Sequence, residues 1–241
     1  MSKEVELQKR SSLLFWFPKI KNLGIPVPKT EVLEIERWDF LRWLWGERSI
    51  DKYIPRIVEK ARKIGYPLFL RTDQASGKHS WKEACYIKSE KDLLKNLARV
   101  IEFNETATII GLPYKALVFR EYIDLDWKFK AFWGEMPVAK ERRYFIKNGR
   151  VLCHHPYWIE DAILRPSVEN WRDLLKELNH ETDEEIKLLS GYAERVAKVL
   201  DGYWSVDFAC ARDGKWFLID MAVGEISWHP DCPIKKEEDE K

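Results

Sequence analysis

Two aspartates in the last third of the chain have the spacing that a divalent-cation site requires. Asp207 lies in one apolar run, Asp220 ends the next, and the pair Asp213-Gly214 between them is typical of a tight turn. Because side chains alternate along a strand, a hairpin folded at this turn brings the two carboxylates opposite each other. Carboxylates so close repel unless a cation lies between them, and Mg²⁺ prefers one or two protein carboxylates together with phosphate oxygens. We therefore predict a magnesium site here, and two exposed acids at strand ends are the alternative.

A loop in the first half of the chain could bind the phosphates that accompany such a cation. The segment Asp73–His79 is rich in small residues, which lets backbone N–H groups approach an anion, and Lys78 adds a positive charge. Its spacing is not that of the Walker P-loop. A solvated loop without a role is the alternative.

Composition limits the classes of protein to which the chain can belong. Its 241 residues are 45% hydrophobic and 34% charged, enough for one compact unit or two joined lobes with a real core. The net charge of +1 argues against nucleic acid as the main partner. No stretch approaches 18 apolar residues, and the first residues lack the apolar region of a signal peptide, so we expect a cytoplasmic protein without a membrane partner.

Hydrophobic periodicity predicts an α+β fold in which antiparallel hairpins are mixed with flanking helices. The predicted helices cover 51–64, 89–101, 168–178 and 182–200. The predicted strands cover 66–71, 84–88, 116–123, 128–133, 143–147, 151–154, 204–210 and 216–221. Ser89 and Asp92 indicate a capping box at the start of one helix. The aromatic stretch Trp38–Trp45 favours a buried helix or a lobe contact, with a binding surface as the alternative.

These motifs, in this order, resemble those of the ATP-grasp superfamily. In that family two acids on an antiparallel hairpin hold the Mg²⁺ that bridges the ATP phosphates, and Asp220 follows Asp207 by a matching 13 residues. A typical member has an asparagine two residues after the second acid, where this chain has Ala222. Glu225 and Ser227 could compensate, and we take Glu225 as a third metal ligand.

The resemblance also implies which residues bind ATP. Arg71 ends a strand whose terminal basic residue contacts the phosphates, and Lys78 belongs to the flexible loop above them. The backbone of the hinge strand between the lobes would pair with the adenine edge. In this chain that segment is Glu121, Tyr122 and Ile123.

A smaller ATP-grasp clade, named for an arginine and two lysines, has a Glu-x-Arg-x-Phe strand that the run Glu141–Phe145 resembles. Alternation puts Arg143 on the same face as the glutamate and the phenylalanine, so we expect Arg143 to stabilise charge on the transferred phosphoryl group. Arg142, expected on a solvent face, is the alternative. Lys130 is expected to be a catalytic lysine of the clade, and a solvated position is its alternative reading.

The resemblance runs from about residue 60 to residue 230 and implies two α+β lobes that grip a nucleotide in the cleft between them. We expect residues 1–50 to form an N-terminal cap or a shrunken substrate segment. Residues 51–123 would form the N-terminal lobe, 124–234 the C-terminal lobe, and 235–241 a charged tail.

The implied function is an ATP- and Mg²⁺-dependent ligase that joins a carboxylate to an amine or thiol through an acylphosphate, with a small molecule or a peptide as acceptor. The alternative is a non-catalytic chaperone, because one eukaryotic relative of this fold is an ATP-binding assembly chaperone for a translation initiation factor. Trp38–Trp45 would then be a surface for a protein partner. A kinase acting on a small molecule or a protein is a third reading.

Overall fold

The computed structural model describes residues 3–230, and within them the chain forms seven α-helices and ten β-strands. The helices are α1 (Lys3–Ser11), α2 (Leu13–Ile20), α3 (Arg37–Leu44), α4 (Ile54–Ile64), α5 (Leu93–Thr106), α6 (Trp171–Asn179) and α7 (Asp183–Ala197). The strands are β1 (Thr30–Glu34), β2 (Leu68–Thr72), β3 (Tyr86–Ile87), β4 (Ala116–Glu121), β5 (Trp127–Ala131), β6 (Met136–Ala139), β7 (Glu141–Lys147), β8 (Arg150–Pro156), β9 (Tyr203–Cys210) and β10 (Trp216–Val223). The tail predicted at 235–241 lies outside the described residues.

Two antiparallel sheets, one in each lobe, organise these elements. The N-terminal lobe has the strand order β1-β4-β2-β3 and is covered by α4 and α5. The C-terminal lobe has the order β10-β9-β7-β8, with α7 against β7 and β8 and with α1 and α2 against β10. The hairpin β5-β6 packs separately on α6. The predicted α+β class is confirmed, and no helix between residues 3 and 230 is long and apolar enough to cross a bilayer.

Residues 3–50 are divided between the two lobes. In α2, Leu13, Trp16 and Ile20 are buried in the core of the C-terminal lobe. Farther along, Leu33 and Phe40 belong to the core of the N-terminal lobe. The apolar face of α2 is thus buried against the C-terminal sheet, and the chain then passes to the N-terminal lobe, where it forms β1 and α3.

The aromatic stretch Trp38–Trp45 forms α3 and the residue that follows it. Phe40 is fully buried, as a buried helix requires, but Trp38 and Trp45 are 68% and 69% exposed. The prediction of a buried helix therefore holds for one face of α3, and two indole rings lie on the surface.

Some predicted boundaries are wrong for identifiable reasons. The hydroxyl of Ser89 donates to the carboxylate of Asp92 at 2.7 Å and does not cap a backbone N–H, so the turn Glu90–Asp92 comes first and α5 begins at Leu93. Strands β1 and β6 were not predicted. A proline disfavours a strand, and Pro137 of β6 is tolerated because the hairpin β5-β6 consists only of edge strands.

Thr182 caps α7, as its position before an acidic first turn indicates. Its Oγ1 accepts a hydrogen bond from the backbone N–H of Glu185 at 3.2 Å. Thr182→Ala should therefore lower the free energy of unfolding by about 1 kcal/mol in urea titrations, whereas Thr182→Ser should stay close to the native value. Thr106→Ala is the matched control, since that hydroxyl donates to the Glu102 carbonyl at the exposed end of α5. Equal stabilities for the alanine and serine variants at 182 would show that the cap contributes nothing.

Candidate functional site

The cleft between the two lobes encloses about 410 Å³ and is lined from both sides. The N-terminal lobe contributes, among others, Phe69, Arg71, Lys78, Trp81, Arg120, Glu121, Tyr122 and Ile123. The C-terminal lobe contributes Glu141, Arg143, Tyr157, Asp207 and Asp220. Most of the charged residues singled out from the sequence therefore meet in one place.

The two aspartates face each other across neighbouring strands, as the turn predicts. The register pairs Asp220 of β10 with Asp207 of β9, and Asp207 in turn with Arg143 of β7. This alignment depends on a bulge, because the ladder skips Ile219 between Leu218 and Asp220. If the ladder continued without the bulge, Ile219 and not Asp220 would be opposite Asp207. Bulges are common beside functional sites because they re-aim a side chain in this way.

Arg143 holds Asp207 with a bidentate fork. Its Nε donates to Oδ1 and its Nη2 donates to Oδ2, both at 2.7 Å, and both side chains are largely buried. Burial by itself would lower the pKa of Arg143, but the charge and the hydrogen bonds of Asp207 outweigh it, so that the pKa is raised. The guanidinium also lies over the ring of Tyr157, 4.7 Å from its centroid. Arg143 thus has the position in the cleft that alternation along β7 predicts.

Arg71 makes the corresponding contact with Asp220, and it does so across the two lobes. Its Nη1 lies 2.9 Å from Oδ2 of Asp220, while Nε and Nη2 donate to the carbonyls of Thr72 and Gln74 at 3.0 Å. The Arg71 side chain is buried, whereas that of Asp220 is 40% exposed. Oδ1 of Asp220 accepts the N–H of Met221 at 3.0 Å.

Lys78 extends from the small-residue loop to the C-terminal lobe. Its Nζ donates to the hydroxyl of Tyr157 at 3.1 Å and lies 3.9 Å from Oε2 of Glu141. It also lies over the ring of Trp158, 4.8 Å from the ring centroid. Burial would lower the pKa of Lys78, but Tyr157 and Glu141 outweigh it, so that the pKa is raised. The ammonium is therefore charged at neutral pH and lies in the cleft.

Glu141 is buried beside this lysine, and burial raises its pKa. One oxygen, Oε1, accepts the indole N–H of Trp158 at 3.1 Å, while Oε2 is buried without a hydrogen-bond partner. A buried carboxylate oxygen without a donor is costly unless another group supplies one.

Arg120 is a cleft residue that was not predicted. Its Nη1 donates to the carbonyl of the bulge residue Ile219 at 2.5 Å, and its Nε donates to Thr30 at 3.3 Å, but Nη2 is buried without an acceptor. Burial, and then the charge of Arg71, lowers the pKa of Arg120 to about 9. One feature of the sequence could have identified it: Arg120 is a charged residue within the otherwise apolar run of β4, and it lies on the same face of the strand as Val118.

The hinge segment lines the cleft at its aromatic end. The ring of Tyr122 lies 5.2 Å from that of Tyr86 and 6.4 Å from that of Trp81. The Glu121 side chain, however, is engaged by the residue before β1, because its Oε1 accepts the N–H of Lys29 at 2.7 Å. Ile123 also borders the cleft. Tyr122, Trp81 and Phe69 line this end of the cleft and give it an aromatic side suited to contact with a planar base.

Two expected site residues lie elsewhere. Lys130 is on the outer face of β5, where its Nζ lies 3.7 Å from Glu135, because Phe129 takes the inward position between it and Lys128. Glu225 is exposed on a short turn after β10 and does not line the cleft. Between residues 3 and 230, no three Asp, Glu, His or Cys side chains form a group that could hold a metal ion. The structure therefore brings neither Glu225 nor Lys130 to the cleft that contains the other predicted site residues.

The prediction that Arg142 lies on a solvent face is wrong. Arg142 points away from the cleft, as alternation requires, but its side chain is fully buried and not on a solvent face. Its Nε lies 2.7 Å from Glu185 and 3.1 Å from Glu181, beneath α7. Arg142 is thus part of the core and has no access to a ligand in the cleft.

Comparison with known proteins decides the family. The sequence model of the ATP-grasp domain, family 3 of the clade named for an arginine and two lysines, matches residues 61–237, well over half of the chain. The chain belongs to the ATP-grasp family. No curated protein matches it in sequence.

Solved structures with this ATP-grasp fold include proteins of two kinds. C-terminally truncated Cdc123 from Schizosaccharomyces pombe is 15% identical, with a TM-score of 0.59, and the match covers 91% of this chain and 85% of that one. The N5-carboxyaminoimidazole synthase from Aspergillus clavatus, solved with ADP and 5-aminoimidazole ribonucleotide, is 12% identical with a TM-score of 0.51. That match covers 91% of this chain but only 45% of the synthase. At these identities the likeness shows the ATP-grasp fold alone.

Proposed function

We propose that this ATP-grasp chain is an ATP- and Mg²⁺-dependent ligase that joins a carboxylate to an amine or thiol through an acylphosphate. One observation carries the proposal: Asp207 and Asp220 are opposed in a cleft that also contains Arg71, Lys78 and Arg143. Two carboxylates for a cation and three cationic side chains for phosphates are the groups that phosphoryl transfer needs.

The side chains of the cleft fit a nucleotide. Nη2 of Arg120 is buried without an acceptor, and a phosphate oxygen would satisfy it. Lys78 and Arg71 come from the N-terminal lobe and Arg143 from the C-terminal lobe, so a triphosphate would draw cations from both sides. Tyr122 and the aromatic side chains beside it offer the base an aromatic side of the cleft at the hinge.

The carboxylates also fit a magnesium ion. A carboxylate has about four lone-pair directions, and the fork of Arg143 takes two of those of Asp207. Asp220 is partly exposed and has lone pairs beyond those directed at Arg71 and Met221. A bound Mg²⁺ would neutralise charge on the triphosphate.

The proposed reaction has two steps. The γ-phosphoryl group moves from ATP to a carboxylate oxygen of the substrate, which yields ADP and an acylphosphate. An amine or thiol then attacks the acyl carbon, and inorganic phosphate and a proton leave. Arg143 would stabilise charge on the moving phosphoryl group, and Lys78 would hold the loop over it. Contacts across the lobes, such as that of Lys78 with the hydroxyl of Tyr157, would exclude water that could hydrolyse the acylphosphate.

The test is ADP release by the purified chain in the presence of ATP, Mg²⁺ and a panel of amino acids and dipeptides, with hydroxylamine as a general amine. We expect ADP release that requires both a carboxylate and an amine, with hydroxamate formed from the activated acid. Lys130→Ala should be as active as the native chain, since Lys130 lies outside the cleft. Nucleotide binding without ADP release under any condition would contradict the ligase.

The second candidate is a nucleotide-binding assembly chaperone without turnover. The observation that favours it is the extent of the match to Cdc123, which covers 85% of that protein against 45% of the synthase. The exposed rings of Trp38 and Trp45 would then be part of a surface for a protein partner. Saturable binding of ATP without any ADP release would support this function.

A further inference from the structure

Each carboxylate of the proposed cation site already forms an ion pair with an arginine. Arg143 takes both oxygens of Asp207 at 2.7 Å, and Arg71 lies 2.9 Å from Oδ2 of Asp220. The opposed aspartates thus have one guanidinium each, and the two positive charges offset the repulsion that would otherwise separate the carboxylates. In this state the charge that a divalent ion would bring is supplied by the protein itself.

Binding of a bare divalent cation to this arrangement would be opposed by electrostatics. Asp207 and Arg143 are largely buried, so an ion placed against Asp207 would lie beside a guanidinium in a medium that screens poorly. The ion would also have to displace charge-assisted hydrogen bonds with good geometry.

A triphosphate changes this balance. Its oxygens match the planar fork of a guanidinium as well as a carboxylate does, so Arg71 and Arg143 can exchange one acid for another without losing their hydrogen bonds. The same phosphates supply the further oxygen ligands that Mg²⁺ prefers. With the nucleotide present, the guanidinium groups can leave the carboxylates, and the oxygen ligands of the cation are then complete.

We propose that Arg71 and Arg143 are exchangeable counterions that keep the two aspartates from binding a divalent cation until a nucleotide takes the guanidinium groups. The cation and the nucleotide then bind together, and each raises the affinity for the other by the same factor. This inference rests on the proposed nucleotide site but not on any turnover there.

The structure makes a gain-of-function test possible. Arg143→Met and Arg71→Met each leave one aspartate without its guanidinium, so each variant should bind a divalent cation in the absence of nucleotide. Arg120→Met is the matched control: Arg120 lines the same cleft, but its hydrogen bonds go to the carbonyl of Ile219 and to Thr30 and not to a carboxylate. It removes one positive charge without exposing an acid.

The probe is Mn²⁺, and the amount left free is measured from its electron paramagnetic resonance signal. We expect no saturable binding to the native chain below millimolar Mn²⁺, and a gain of about 5- to 150-fold in affinity for Arg143→Met and Arg71→Met. The gain should be lost again when Asp207→Asn is added to Arg143→Met. Circular dichroism and the unfolding temperature establish that each variant is folded.

A second measurement tests the exchange of counterions in the native chain itself. In the native chain, the ¹⁵N–¹H signals of the arginine Nε groups should shift on addition of a non-hydrolysable ATP analogue in the presence of a chelator, before any cation is added. Arg71→Met and Arg143→Met, each of which removes one signal, assign the two signals that are expected to shift.

Three results would overturn the inference. They are tight Mn²⁺ binding by the native chain alone, folded Arg71 and Arg143 variants that gain no affinity, and an equal gain in Arg120→Met, which would point to net charge and not to pairing. Failure of the proposed ligase looks different, because ADP release would be absent while the Mn²⁺ results stay as expected.

Discussion

Replacing Arg142 with methionine is expected to lower the free energy of unfolding by about 3–5 kcal/mol, because it removes a fully buried guanidinium from its pairs with Glu185 and Glu181 and leaves only Lys140 paired with Glu185. The Nε of Arg142 lies 2.7 Å from Glu185 and 3.1 Å from Glu181. Its Nη1 and Nη2 donate to the carbonyls of Leu178 and His180 at 3.0 and 2.8 Å. The side chain thus ties β7 to the segment between α6 and α7, and methionine can replace its volume but none of these contacts.

Urea unfolding followed by circular dichroism measures this loss, with Arg99→Met as the matched control. Arg99 forms an ion pair with Glu102 at 2.8 Å on the exposed face of α5. Pairs of that kind contribute about 0–1 kcal/mol, so the control should be nearly as stable as the native chain. Similar midpoints for the two variants would show that the buried network around Arg142 is not holding the C-terminal lobe together.

Arg143→Met is expected to lower kcat for ADP formation by about 10²- to 10³-fold, a loss of the size seen when one preorganised donor to a developing negative charge is removed. The loss in nucleotide affinity should be smaller, because Arg71 and Lys78 still contact the phosphates in the ground state. The comparison requires saturating Mg²⁺, since this substitution also frees Asp207.

Steady-state kinetics and calorimetric titration with a non-hydrolysable analogue separate the two effects. Arg143→Lys is the informative companion, because it keeps the charge but loses the two-pronged geometry, and it should fall between the native chain and Arg143→Met. If kcat is unchanged and only the dissociation constant rises, Arg143 acts in ground-state binding alone.

The central pair of aspartates could be predicted because the signals that place them are local. The turn at Asp213-Gly214 and the alternation of strand residues act over a few positions, and both appear in the sequence. The bulge at Ile219 is not visible there, although it decides that Asp220 faces Asp207. A distant segment contacts the strand just before it, since the N–H of Leu218 donates to the carbonyl of Pro26.

The failed predictions share a physical cause, since each concerns which side of an element is covered by a distant one. Lys130 faces outward because Phe129 packs in a core that includes α6. Arg142 is buried because α7 lies over that face of β7. Neither partner can be read from the local sequence, so alternation gave the correct face in β7 but the wrong environment for Arg142.

The N-terminal segment shows the same limit on a larger scale. Residues 1–50 are expected to form a cap or a shrunken substrate segment, and α2 within them packs in the core of the C-terminal lobe. Ser12 donates to the carboxylate of Asp73 at 2.6 Å, and the same carboxylate accepts the N–H groups of Lys115 and Ala116. Such long-range polar contacts are specified only by the complete fold.

The most direct test is calorimetric titration of a non-hydrolysable ATP analogue into the native chain and into Asp220→Asn, each with Mg²⁺ and with a chelator. The native chain should bind the analogue more tightly with Mg²⁺ than without, and Asp220→Asn should lose this dependence while its unfolding temperature without ligand stays close to the native value. If Asp220→Asn binds with the same affinity and the same dependence on Mg²⁺, the two opposed aspartates do not form the cation site.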